Sequence, residues 1–141
     1  QRRFTVNGEP VSLTDIREPI FAVSTTRDHV APWRSVYKIH LLSDTNVTFV
    51  LANRGHNGGI VSEPGHKGRE YQIRRKIEGE KYIPPEEWRE TTPIENGSWW
   101  PALVNWLDER SGSMREPPSM GASSKGYRPI ADAPGYYIHQ R

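Results

Sequence analysis

Two apolar runs, separated by a stretch long enough for one helix, constrain this chain more than any other feature in it. Residues 19–24, Pro19-Ile20-Phe21-Ala22-Val23-Ser24, do not alternate polar with apolar, which is the pattern of a strand buried on both faces. Residues 46–51, Asn46-Val47-Thr48-Phe49-Val50-Leu51, read as a second strand. Between them, Trp33, Val36, Tyr37, Ile39 and Leu41 predict one short helix over 33–42, packed on a sheet. Strand, helix, strand implies a right-handed crossover between parallel neighbours, a connection that needs a dozen or more residues. Both post-strand loops then open at the same, carboxyl edge.

The first loop carries Asp28 and the second His56. Neighbouring strands lie about 4.8 Å apart, so the two side chains can meet although they are distant in sequence. A carboxylate beside an imidazole can fix its tautomer, as the acid of a catalytic triad does, and an acid followed by a histidine is the chain order of α/β-hydrolases. Each residue also has a plainer reading. An Asp after a strand often forms a turn or caps the next helix, here the one starting near Pro32, and Gly55-His56 is equally compatible with an ordinary loop.

Around these residues the chain resembles a known family. Residues 27–35 (Arg27-Asp28-His29-Val30-Ala31-Pro32-Trp33-Arg34-Ser35), 55–61 (Gly55-His56-Asn57-Gly58-Gly59-Ile60-Val61), 97–101 (Gly97-Ser98-Trp99-Trp100-Pro101) and 133–137 (Ala133-Pro134-Gly135-Tyr136-Tyr137) are similar, in order, to landmarks of the C-terminal part of polyhydroxyalkanoate synthases. The resemblance implies a C-terminal fragment of an α/β-hydrolase fold and an acyltransferase. Such enzymes polymerise hydroxyacyl-coenzyme A through a Cys-His-Asp triad, with the family acid falling on Asp28 and the base on His56. It further implies hydroxyacyl-coenzyme A and a growing polyester chain as partners, no bound cofactor, and a cytoplasmic location that includes the polyester granule surface.

With 141 residues the chain holds one modest domain, about half of a whole α/β-hydrolase, and it is expected to be a piece of a longer protein. It has no cysteine, so disulfides, thiolate metal sites and a Cys nucleophile are all excluded within it. The expected nucleophile therefore lies upstream, and this piece alone is expected to be inactive. No apolar run reaches the length of a transmembrane helix. The 19 basic and 17 acidic residues, net +2, are interspersed, and even the densest basic run, 69–81, is broken by Glu70, Glu78 and Glu80; this disfavours nucleic-acid binding. His40, His66 and His139 have no metal-ligand spacing.

The rest of the chain adds scaffolding. Asn7-Gly8 predicts a type I′ hairpin between Phe4-Thr5-Val6 and residues 9–13, with Pro10 marking an edge strand that covers the sheet or supports the Asp28 loop. Glycines 58, 59, 65 and 68 predict a loop supporting His56. Tyr71, Ile73 and Ile77 suggest a short extended segment within 69–81. Pro84-Pro85-Glu86-Glu87 starts a helix. A further helix begins at a Ser98 cap, carries a stripe of Trp99, Leu103, Trp106 and Leu107 against the sheet, and stops at Gly112. Residues 1–112 thus form the catalytic-domain portion and 113–141 an irregular Pro/Gly-rich tail anchored by Tyr127, Ile130 and Tyr136-Tyr137. Two other functions fit the same pattern, an esterase or depolymerase on this fold and a non-catalytic interaction domain. A homo-oligomer is expected, since a strand at 19–24 without upstream neighbours leaves an edge for a second copy to pair with.

Overall fold

The computed structural model describes residues 4–140, which divide into two compact units at Arg110/Ser111. The first unit begins with a hairpin of β1 (Phe4–Val6) and β2 (Glu9–Val11). Asn7 and Gly8 both have positive φ, +50° and +83°, as a type I′ turn requires. Phe4, Val6 and Val11 are exposed and the hairpin forms its own two-stranded sheet, so it does not cover the main sheet as expected. A 3₁₀ turn over Leu13–Asp15 follows, closed by a reciprocal capping box between Ser12 and Asp15.

The main sheet has four strands in the order β3 (Ile20–Thr25), β4 (Val47–Ala52), β5 (Glu70–Lys76) and β6 (Ile94–Asn96). β3 and β4 are parallel, in the register Ile20 opposite Val47 through Thr25 opposite Ala52, and β4–β5 and β5–β6 are antiparallel. The mixed sheet follows from the connections: β3 reaches β4 through helices, whereas β4 reaches β5 through a glycine-rich loop that reverses the chain.

β4 is buried at all six residues, as a central strand covered on both faces must be. β3 differs from expectation. It is the end strand, so with one neighbour only Ser24 and Thr25 are fully buried and residues 20–23 are half-buried.

The crossover is also corrected. Two short helices replace one: α1 (Trp33–Tyr37) and α2 (Ile39–Leu42), parted at Lys38. The Lys38 N–H reaches the Ser35 and Val36 carbonyls rather than continuing the α pattern, so the turn tightens there. α3 (Pro85–Thr91) starts at the expected prolines, with Glu86 and Glu87 in its first turn.

α4 (Trp100–Asp108) ends before Gly112, which therefore does not stop it. Ser98 does contact the helix start, accepting from the Trp100 N–H at 3.0 Å, while Trp99 occupies the cap position. Leu107 is exposed rather than part of the packed stripe.

Two cores cover the two sheet faces. Phe49 and Leu51 of β4 pack with Trp33, Tyr37 and Trp88 on one face. Val50 and Ala52 pack with Tyr71 and Trp99 on the other, with Leu103 and Trp100 alongside. The period of two along β4 sends alternate residues to α1 and α3, or to α4. Aromatic rings dominate the first core, Phe49 meeting Tyr37 at 5.0 Å and Trp88 at 5.3 Å between centroids, both edge-on.

The second unit, residues 111–141, has two 3₁₀ turns, Ser123–Lys125 and Tyr136–His139, and a bridge between Ala122 and Tyr127. Tyr127, Ile130, Tyr136 and Tyr137 are exposed.

Candidate active site

The parallel pairing of β3 and β4 continues beyond both strands. The Thr26 N–H donates to the Ala52 carbonyl and the Arg27 N–H to the Arg54 carbonyl, each at 2.9 Å. Those two bonds hold the loops after β3 and β4 side by side, and the next residues are Asp28 on one and Gly55-His56 on the other. His56 Nδ1 stands 2.8 Å from Asp28 Oδ2.

Asp28 is held from a second side. Its Oδ1 accepts from the Val30 and Ala31 N–H groups, both at 2.8 Å. It therefore does form a local turn, but Pro32, not Asp28, occupies the cap of α1. The Ala31 N–H, then His56, hold its carboxyl down to a pKa of about 2, against a smaller opposing contribution from burial. The side chains differ in exposure, 8% for Asp28 and 49% for His56. A carboxylate fixed by two backbone amides thus orients an imidazole whose Nε2 has no partner among the described residues, the disposition of a general base awaiting a proton donor.

The backbone before His56 is bent sharply. Arg54 has φ +79°, a conformation side chains other than Gly adopt at some cost. Asn53 Nδ2 at 3.0 Å and Arg54 Nη2 at 3.4 Å both donate to the Gly68 carbonyl, tying the two ends of the loop together.

Downstream, Gly59 lies so close to β3 that a Cβ there would stand 2.4 Å from Thr25 Cγ2 and 2.6 Å from the Asn53 carbonyl oxygen. Glycine is required by space here. The expectation that these glycines shape the His56 loop holds at this position for that reason.

Sequence reasoning missed what pins the loop from the outside. Trp99 Nε1 donates to the Gly59 carbonyl and Trp100 Nε1 to the Ile60 carbonyl, each at 2.9 Å, and Ser98 Oγ donates to the Ser62 carbonyl. Three consecutive residues of the chain clamp three carbonyls of the His56 loop. The available signal was the pair of tryptophans itself, since a buried indole N–H needs an acceptor.

Other candidates resolve differently. Trp33 is 3% exposed in the core, with Arg34 stacked on it. His29 is exposed and its side chain has no hydrogen-bond partner among the described residues. His66 pairs with Glu63 at 2.7 Å, a contact that residue spacing did not single out, and that bond holds the Glu63 carboxyl below the usual range. Among the described residues no group of three or more His, Cys, Asp or Glu side chains is placed to hold a metal ion. No helix there is long and apolar enough to cross a membrane.

Beside the dyad, a cleft of about 390 Å³ is lined by Thr26, Arg27, Asn53, Glu70, Gln72, Arg89 and Ile94. Its walls include Thr26-Arg27 and Asn53, the residues that lead into the two loops.

Comparison with known proteins bears on this arrangement over nearly its whole length. The chain is 34% identical over 136 residues to poly(3-hydroxyalkanoate) polymerase 2 of Ectopseudomonas oleovorans, an alignment covering 96% of the chain. Its homologues are poly(3-hydroxyalkanoate) polymerases. The poly(3-hydroxyalkanoate) polymerase subunit PhaC of Cupriavidus necator is 30% identical over 136 residues, and that of Rhizobium meliloti 33% over 134. The chain spans between a fifth and a quarter of the length of these polymerases, 23%, 22% and 21% respectively. No family model matches it.

Proposed function

We propose that this chain is the acid- and base-bearing portion of a polyhydroxyalkanoate synthase with an α/β-hydrolase core, an acyltransferase whose Cys nucleophile belongs to another part of a longer polypeptide. The observation that carries the reading is the 2.8 Å contact between His56 Nδ1 and an Asp28 already fixed by two backbone amides. Polymerase homology favours acyl transfer over the esterase and interaction-domain alternatives.

In this reading Asp28 keeps the proton on His56 Nδ1, leaving Nε2 free to take the thiol proton of the Cys. The thiolate attacks the thioester carbonyl of hydroxyacyl-coenzyme A. Coenzyme A leaves as its thiol, carrying the proton from Nε2, and the acyl group stays on the Cys. A hydroxyl group of the polyester chain then attacks that acyl carbon; His56 takes the hydroxyl proton and returns it to the Cys sulfur as the thioester bond breaks, so the chain is lengthened by one ester and the Cys thiol is restored. No resident cofactor takes part, and the reaction takes place in the cytoplasm or at the granule surface. The 141-residue chain by itself is silent, because the base has no thiol to activate.

The test follows coenzyme A thiol release from hydroxyacyl-coenzyme A in a polypeptide that contains this chain together with the nucleophile-bearing portion. His56→Ala is expected to abolish release. Near-normal turnover in that variant rejects the assignment.

A further inference from the structure

At the end of β4 opposite the dyad, the imidazole of His40 is buried at 6% exposure, and neither ring nitrogen has a hydrogen-bond partner among the described residues. Leaving a buried polar group unpaired forfeits its hydration without replacement, so such a group calls for an explanation. His40 does not face hydrocarbon alone. It lines a cavity together with Tyr37, Ile83 and Trp88 on the apolar side, and Arg74, Arg75, Lys76 and Lys81 on the other, with Glu80 as the carboxylate among them.

Strand register accounts for Arg74 and Lys76 in this wall, whereas Arg75, opposite Thr48, belongs to the other sheet face and only borders the cavity. Arg74 is paired with Phe49 and Lys76 with Val47, which places both side chains on the sheet face that carries α1, α2 and α3. Neither makes an ion pair among the described residues, nor does Lys81. Glu80 is already engaged, its Oε2 accepting from the Ile77 N–H at 2.9 Å. The cavity therefore carries an excess of positive charge around a histidine with unused hydrogen-bonding capacity.

The inner volume is about 20 Å³. A water needs roughly 10–15 Å³ of such space, so the inner end accommodates one water or one oxygen of a larger group. A tetrahedral oxyanion suits this shape, with one oxygen reaching the imidazole and the others remaining at the mouth among the lysine and arginine side chains.

We propose that the His40 cavity is a phosphate-binding site, taking a phosphate group with one oxygen on the His40 ring and the remainder among Arg74, Lys76 and Lys81. The site is distinct from the Asp28–His56 dyad, because Lys76 pairs with the first residue of β4 while the dyad loops extend from its last. Binding is coupled to a proton. Burial, with the Lys76 charge added, holds the empty-site imidazole down to a pKa of about 4, and an anion in contact reverses the balance by favouring the imidazolium. The other titratable groups facing it are Tyr37, whose ring packs against the imidazole, along with Glu80, Lys81 and Arg74.

The 141-residue chain is titrated calorimetrically with inorganic phosphate and, in a second arm, with adenosine 3′,5′-bisphosphate, at about pH 6 where histidine protonation is accessible. The His40 ring nitrogens are followed by NMR. Saturable binding is expected, with the His40 resonances moving toward the imidazolium and with proton uptake seen as a buffer-dependent heat. His40→Phe is expected to weaken binding by roughly tenfold or more, as loss of a charge-assisted hydrogen bond does. The double variant Lys76→Gln/Lys81→Gln alters more solvent-accessible groups and decides the matter if His40→Phe does not fold. Tighter binding of the bisphosphate assigns the site to a nucleotide phosphate, and equal binding to the free anion. Absence of saturation in both arms, binding that leaves His40 unmoved, or folded variants that bind like the parent overturns the proposal.

Discussion

Trp99 Nε1 donates to the carbonyl of Gly59 across 2.9 Å, linking the start of α4 to the third residue beyond His56. The indole is 6% exposed, so neither group has water as an alternative partner. Trp99→Phe keeps most of the ring packing and removes this donor. The expected outcome is a loss of about 1–3 kcal/mol, the cost of leaving a buried carbonyl unpaired, in chemical denaturation. Amide exchange should quicken over residues 59–62 more than in β4, and uniform protection would show that the clamp does not order the loop.

Asp28→Asn leaves the loop's shape but removes the charge that holds the His56 tautomer. Turnover of the nucleophile-containing polypeptide is expected to fall by on the order of 10⁴, the scale found when a serine-protease triad loses its acid. Stability should respond to acid as well. Asp28 has its pKa depressed from 3.8 to about 2, so its contribution is present above about pH 4 and is lost as the pH falls toward 2. An acid titration in which the parent and Asp28→Asn lose stability in parallel over that window contradicts the assigned contacts.

His40 works in the opposite region. Its pKa drops from 6.5 to about 4 on folding, so between those values the unfolded chain binds more protons and stability rises with pH. In phosphate-free buffer the chain should lose on the order of 2–3 kcal/mol on going from pH 7 to 4, since each tenfold weakening of proton affinity on folding is worth about 1.4 kcal/mol. Comparing denaturation midpoints of the parent and His40→Phe isolates the effect. An unchanged pH slope in the variant means that His40 is not the buried base.

β3 is the end strand of its sheet, and four of its six residues are only half-buried. An open strand edge with partly exposed Ile20, Phe21, Ala22 and Val23 recruits further strands. The isolated chain is expected to self-associate with rising concentration in light scattering during size exclusion. A strictly monomeric chain that binds no dye specific for apolar surface shows that this edge is already protected.

Much of the scaffold was legible in the residues because its causes are local. Asn7-Gly8 forces a hairpin through two positive φ angles, Pro84-Pro85 with Glu86-Glu87 starts a helix, and the apolar residues of 20–24 and 47–51 form strands. The meeting of Asp28 and His56 was legible too, since adjacent parallel strands deliver their following loops to one edge. What only the tertiary structure decided depends on partners distant in sequence. Periodicity could not tell that β3 would lie at an edge, that β5 and β6 would reverse the sheet's direction, or that Lys38 would part the crossover. Nor could it tell that Trp99 and Trp100 would commit their N–H groups to the His56 loop, or that His40 would be sealed without a partner. A side chain's pattern reports that it needs burial or a hydrogen bond, whereas the identity of the group that answers is set by the path of the chain through space.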